Sequence, residues 1–343
     1  MKKILVVPIF TLLFVVSTPS CKKESAPKTV HIVGARYDIG VSTFLPTYWR
    51  NNEKITFTSG TNNGDAKDLA LVGNDVYISG FTRSAPGAVI NACYWKNGVV
   101  NILGDVNRSL RAEKMFVNGT DVYIAGYEGN GTVNVAKYWK NGVATNLSNG
   151  ILGATCLDVA VSGADVYAVG KQISGSSAKA YLWKNGVGTA LSDGLNSVDP
   201  TSIAVNGTDI YVCGIEYISG SPVPVLWKNG VKSILPVTAS MHGSARKVLV
   251  SGTDVFVCGS EYNNANDVYS VILWKNGIPV KLAANVYSGD ATDIFIDRGD
   301  VYVSGYERKN SSSKDIATYW KNGVATPLSD ESFNHSANGI FVK

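Results

Sequence analysis

All seven tryptophans of this chain stand on one period. Trp49, Trp95, Trp139, Trp183, Trp227, Trp274 and Trp320 follow one another at intervals of 44 to 47 residues. Six of them are followed directly by Lys-Asn-Gly, and Trp49 is followed by Arg50-Asn51-Asn52. A period in the mid-forties is the signature of propellers and similar arrays, in which one supersecondary unit is repeated until neighbours bury each other's faces.

The unit is clearest from Ala291 to about Asp330. Ile294-Phe295-Ile296 is a short apolar run, and a tight turn at Arg298-Gly299 leads to Asp300-Val301-Tyr302-Val303-Ser304-Gly305. A polar stretch, Arg308 to Lys314, precedes Ala317-Thr318-Tyr319-Trp320, and Asn322-Gly323 opens a last run to Leu328. Asn-Gly between apolar runs is a strong hairpin signal, because both residues tolerate positive φ. Four short antiparallel strands per repeat make a propeller blade. The second strand recurs from Asp75, Asp121, Asp165, Asp209 and Asp254, and each copy ends in glycine: Gly80, Gly126, Gly170, Gly214 and Gly259. The first strand begins about twenty residues after each Trp, at Leu69, Met115, Val159, Ile203, Val248 and Ile294, with apolar residues on both faces. That suits a strand covered from both sides.

The chain ends complete the count. His31-Ile32-Val33-Gly34 matches the second strand, and Ile340 stands where another first strand belongs. The fold class expected is therefore all-β: a seven-bladed β-propeller of four-stranded antiparallel blades over residues 30–343. The C-terminal strand joins the N-terminal blade, and ring closure removes free sheet edges. First-to-second and third-to-fourth turns are short and nearly constant, whereas the other connections vary. Alternate connections of a meander lie on opposite faces, so one face should gather every variable loop and one channel mouth. Such loops, held by a rigid scaffold, are where binding residues are expected.

Met1-Lys2-Lys3, the apolar run from Ile4 to Val16 and Ser17-Thr18-Pro19-Ser20-Cys21 read as a secretory signal. The stretch resembles a bacterial lipoprotein signal, with Thr18 departing from the usual aliphatic residue. That resemblance implies a leader over 1–20, lipidation of Cys21, a flexible tether over 21–29, and an outer-membrane location with either side open. Ordinary secretion with a free Cys21 is the alternative. The formal charge of +4 falls to +2 without Lys2 and Lys3. No concentrated basic footprint is left, which argues against nucleic acid as a partner.

The tryptophans read as packing residues, since a ligand seldom needs seven identical contacts. The repeated Asp is expected to accept hydrogen bonds from turn amides, and the Lys after each Trp to lie in solvent beside the turn. One carboxylate per turn is a poor calcium loop. His31, His242 and His335 show no metal-ligand spacing, so no metal or cofactor is expected. Cys93, Cys156, Cys213 and Cys258 read as small buried hydrophobes. No catalytic residue stands out: there is no nucleophile elbow and no phosphate loop. A binding rim is expected in the variable loops, where Tyr-Glu or Glu-Tyr recurs after the second strand: Arg36, Tyr37, Tyr127, Glu128, Glu216, Tyr217, Glu261, Tyr262, Tyr306, Glu307 and Arg308.

The seven-fold Asp-Val-Tyr-x-x-Gly … Tyr-Trp-Lys-Asn-Gly-Val pattern resembles the WKNG-type repeat lipoproteins of Bacteroidota-like bacteria. The resemblance implies a propeller in the cell envelope and no established activity. Three readings follow: a tethered, monomeric module docking an envelope protein, peptide or glycan on the variable-loop face; a hydrolase or lyase at the channel mouth; or a purely structural envelope subunit.

Overall fold

The computed structural model describes residues 28–38, 43–55, 57, 63–84, 87–237, 242–265 and 267–343. Cys21, the leader and most of the tether lie outside the described residues. The described chain forms seven four-stranded antiparallel sheets. These are blades 1 to 7, numbered by their tryptophans, with strands one to four counted outward from the channel. Blade 2, for example, runs Asn63–Val72, Asp75–Arg83, Asn91–Lys96 and Val99–Ile102. No helix long and apolar enough to cross a membrane occurs among the described residues.

The core is a set of seven clusters, one between each pair of neighbouring blades. Trp183 of blade 4 packs with Tyr123, Ala125 and Leu147 of blade 3. Trp320 of blade 7 packs with Phe256 and Cys258 of blade 6. All seven indoles are 3% exposed or less. A Trp in the third strand thus fills the gap left by the preceding blade, and the mid-forties period is the period of that gap.

The repeated Asp, Asn and Lys form one fastening. In blades 2 to 7 the Asn of Asn-Gly sits at φ near +50°, as in Asn97 at 51° followed by Gly98 at 83°, which is the geometry of a type I′ turn. Its Oδ1 accepts the second-strand amide after the Asp at 2.8–2.9 Å. Its Nδ2 donates to the Asp at 2.7–2.9 Å. The Lys ion-pairs with the other Asp oxygen at 2.7–3.3 Å. It also lies over the Tyr or Phe two residues beyond the Asp, 5.1–5.5 Å from the ring centroid. Two expectations are corrected here. The Asp does not serve turn amides, because the Asn takes that role, and the half-exposed Lys is ion-paired and stacked. In blade 1 the set changes together, to Thr29, Arg50 and His31, and only the Asn51 bond to the Val30 amide remains, at 2.9 Å.

Blade 1 closes the ring. Asn334–Val342 is its innermost strand and pairs antiparallel with Val30–Asp38. Ala337, Ile340 and Val342 are buried in the cluster between blades 7 and 1. Charged ends secure both flanks: Lys28 bonds Asp300 of blade 7 at 3.0 Å, and Lys343 reaches Gly73 O and Asn74 Oδ1 of blade 2 at 2.6 and 2.8 Å. Deleting residues 336–343 removes this strand and exposes two blade faces. The expected loss is more than about 3 kcal/mol, given several buried aliphatic contacts, read as a fall in denaturant midpoint. A wild-type midpoint would show that closure contributes nothing.

Candidate functional site

The first strands start well before the apolar run that marks them in the sequence. Each carries a register shift, such as that between Ala66 and Asp68 or between Ala245 and Lys247. An extra residue of this kind bends a strand and re-aims a side chain. The glycine ending each second strand lies beside the shift. A Cβ there would stand only 1.8–2.5 Å from a first-strand carbonyl oxygen, as at Gly34, Gly170 and Gly214. The recurring glycine therefore permits the bulge, and the bulge supplies the channel with its side chains.

Those side chains form a well of about 590 Å³. Four cationic residues (Lys67, Lys114, Lys171, Arg246) and three anionic ones (Glu113, Asp199, Asp290) line it, with Tyr127, Thr201, Thr292, Tyr306 and Asn338. Lys67 pairs with Asp65 at 2.6 Å, Lys171 with Asp199 at 2.5 Å and Arg246 with Asp290 at 2.7 Å. Asn338 donates to Asp65 Oδ1 at 3.1 Å and Ala66 O at 2.8 Å. The Glu113 carboxylate has no hydrogen bond or ion pair within contact distance among the described residues. Burial raises its pKa, against the nearby charges of Lys67 and Arg111.

The floor is built from Asp68, Asp158 and Asp293, all buried. Each accepts a backbone amide from the next blade: Met115 to Asp68 at 3.0 Å, Ile203 to Asp158 at 3.1 Å and Ile340 to Asp293 at 2.9 Å. Two lysines span the channel at this level. Lys247 of blade 6 reaches Asp158 of blade 4 at 3.4 Å, and Lys114 of blade 3 reaches the Arg246 carbonyl of blade 6 at 3.3 Å. Burial pushes Asp68 up to about 6, partly offset by Lys247 and reinforced by Asp293. Burial opposes the charge on Lys247, but Asp158, Asp293 and Asp68 around it raise its pKa.

A side pocket of about 310 Å³ adjoins the well and shares Arg246, Asp290 and Tyr306 with it. Tyr217, His242, Tyr262 and Tyr269 line it. A further depression of about 640 Å³ lies between the variable loops of blades 3 and 4. Much of its polar lining is spent internally: Arg108 pairs with Glu128, and Asn130 accepts the Thr132 and Val133 amides.

The residues expected to form a rim belong to strands and not to loops, because the second strands extend further than the sequence suggests, for example Asp209–Ile218 and Asp254–Asn263. Strand alternation then separates neighbours onto opposite sheet faces. Tyr127 and Tyr306 enter the well, and Tyr217, Tyr262 and Tyr306 line the side pocket. The glutamates point elsewhere. Glu216 is 3% exposed and pairs with Lys232, Glu261 is 2% exposed and pairs with Lys281, and Glu128 pairs with Lys137 and Arg108. Glu307 is half-buried, and burial raises its pKa. Arg36 lies over Phe333 at 4.3 Å, Tyr37 packs on Phe44, and Arg308 pairs with Asp315 at 2.8 Å. None of these last four lines the well or the side pocket. The well itself was missed in the sequence. Its signal was charge: Asp68, Lys114, Asp158, Lys247 and Asp293 all stand immediately before the apolar first-strand run.

His242 lines the side pocket, whereas His335 lies against Trp49 and Phe333 and lines neither the well nor the side pocket. Among the described residues no group of three or more His, Cys, Asp or Glu could hold a metal ion. Cys93, Cys156, Cys213 and Cys258 are free and buried, and burial raises the pKa of each thiol.

No family model and no curated protein matches the chain. Solved structures do. The β-propeller domain of the Trilobed protease from Pyrococcus furiosus, described as having an open velcro topology, aligns at TM-score 0.52 and 9% identity, covering 89% of this chain and 93% of that one. Pyrococcus horikoshii acylaminoacyl peptidase aligns at TM-score 0.52 and 10% identity over 88% of this chain, and a prolyl endopeptidase at 0.51 and 11% over 92%. The chain spans about half the length of these two peptidases. At such identities the likeness is one of fold: a β-propeller.

Two outcomes follow from this geometry. Gly170→Ala drives a methyl into the Thr155 carbonyl and should cost about 2 kcal/mol or more by overpacking; an unchanged denaturant midpoint would dissociate glycine from bulge. Asp68 has its folded pKa raised from the ordinary 3.8 to about 6. Its contribution to stability is therefore fully present below pH 3.8 and is lost as pH rises through 6. Asp68→Asn should gain on the wild type, in relative stability, between pH 4 and pH 7, measured by denaturant titration at each pH. A pH-independent difference would contradict the shift.

Proposed function

We propose that the chain is a binding module whose ligand enters the well at the channel mouth, and that it is held in the cell envelope by a lipidated Cys21. The observation that carries the binding reading is the convergence of side chains from all seven blades on one cavity whose floor is crossed by Lys114 and Lys247. The lining carries both signs with nearly balanced charge. A well of that kind offers no steering field for a polyanion, and suits a small ligand or chain end that itself bears separated opposite charges. A free amino acid or the terminus of a short peptide has that chemistry. Arg246 and Lys171 present donors for a carboxylate, and Glu113, across the channel from Arg246, is an acceptor for an ammonium group. Pockets with a few converging polar groups are the usual places for small ligands.

Calorimetric titration of the purified protein with short unblocked peptides tests the reading. Saturable binding is expected, with at least tenfold weakening in both Arg246→Lys and Glu113→Gln and unchanged thermal melts. Binding that ignores both substitutions would overturn the well as the site.

A further inference from the structure

The chain enters the ring on the face opposite the well. Lys28 donates to the carbonyl of Asp297 at 3.2 Å and to Asp300 at 3.0 Å, on either side of the blade 7 first-to-second turn. Thr29 and Lys343 exchange backbone hydrogen bonds at 2.7 and 2.9 Å beside it. Lys28, the first described residue, therefore sits on the face of constant turns. The residue after Asn-Gly, at the rim of that same face, is aliphatic and exposed in six blades: Val99, Val143, Val187, Val231, Ile278 and Val324 are 67–74% exposed. β-branching suits a strand, but Thr would serve equally well and leave less apolar surface. The Lys beside each of these residues is neutralised by its Asp, so the rim is apolar points set among balanced ion pairs.

We infer that this face rests on the headgroup region of a phospholipid bilayer, with the valine and isoleucine ring as contact and the well opening away from the membrane. The inference rests on the reading of Cys21 as lipid anchor. Six residues separate Cys21 from Lys28, and the seven steps between them, even fully extended, reach only about 25 Å. An anchor so short holds the ring close to the surface, and it does so from the turn face. Contact by neutral apolar points requires no anionic lipid, and salt should leave it unchanged.

The test uses the full-length lipidated protein in phosphatidylcholine vesicles. Single cysteines are introduced as Val187→Cys and Val231→Cys on the turn face and Ile151→Cys on the loop face, and each is labelled with an environment-sensitive dye. The four native cysteines among the described residues are buried and escape the label; Ile151 is 75% exposed. Spin-labelled lipid is expected to quench the dye at 187 and 231 at least twofold more than at 151, in low and in high salt. Protein that floats with the vesicles but is quenched equally at all three positions, or more at 151, overturns the facing while leaving the anchor intact. Protein that floats no better than its Cys21→Ser variant overturns the anchor itself.

Discussion

No blade of this protein can bury its own faces. A four-stranded sheet with apolar residues on both sides must be covered twice, and each blade has only its neighbours to do it. The indole of one blade filling the hollow of the last is the contact that meets this need, seven times over, with every Trp at 3% exposure or less. Such a chain of dependencies has no natural end, because the outermost blades of an open array would each keep one bare face. Pairing Asn334–Val342 with Val30–Asp38 ends it by joining the last residues to the first.

The two faces of the ring then carry different burdens. On the turn face, geometry is fixed by a local fastening in which one Asn holds positive φ, caps a strand amide and orients an Asp that pairs with Lys. Every member lies within 22 residues of its partners in the chain, so the fastening is local to one blade. On the loop face no fastening recurs through six blades among the described residues, and the charged groups of the well pair in different ways. Lys67 pairs within its own strand, Arg246 with blade 7 and Lys171 with blade 5. Constancy on one face leaves the other free to differ.

That division explains what could be read from the residues alone. The blade count, the Asn-Gly turns and the closure were legible because period, turn chemistry and apolar runs are local and repeat. The Lys-Asp pairing was not, since the two stand about twenty residues apart and only the register of second and third strands brings them together. The glutamates misled for a related reason: Tyr127 and Glu128 are neighbours in sequence but alternate in a strand, so the pair divides between the channel and the space between blades. The well was hidden because its residues do not keep to the repeat. Lys67, Glu113, Leu157, Thr201, Arg246, Thr292 and Asn338 occupy equivalent places, where only threonine occurs twice and the other blades place a cation, an anion, an aliphatic or an amide. A search for repetition passes over such a position, although departure from the repeat is what marks it.

The floor of the well argues in the same direction. A propeller needs no buried charge to close its channel, and a central ring of aliphatic residues would avoid desolvation altogether. Here three carboxylates and two ammonium groups are sunk at that level, and Asp68 is held so far from water that its pKa rises to about 6. Part of this is structural, since each Asp ties its blade to the next through a backbone amide. The lysines have no such duty. Lys247 crosses from blade 6 to Asp158 of blade 4, and Lys114 crosses the other way to blade 6. Neither lysine is required by the repeat, whose other blades place Asp, Ser or Gly there. Charges placed against the needs of the scaffold, at the base of the cavity toward which every blade contributes, make the mouth of the channel the part of the molecule that its fold alone does not account for.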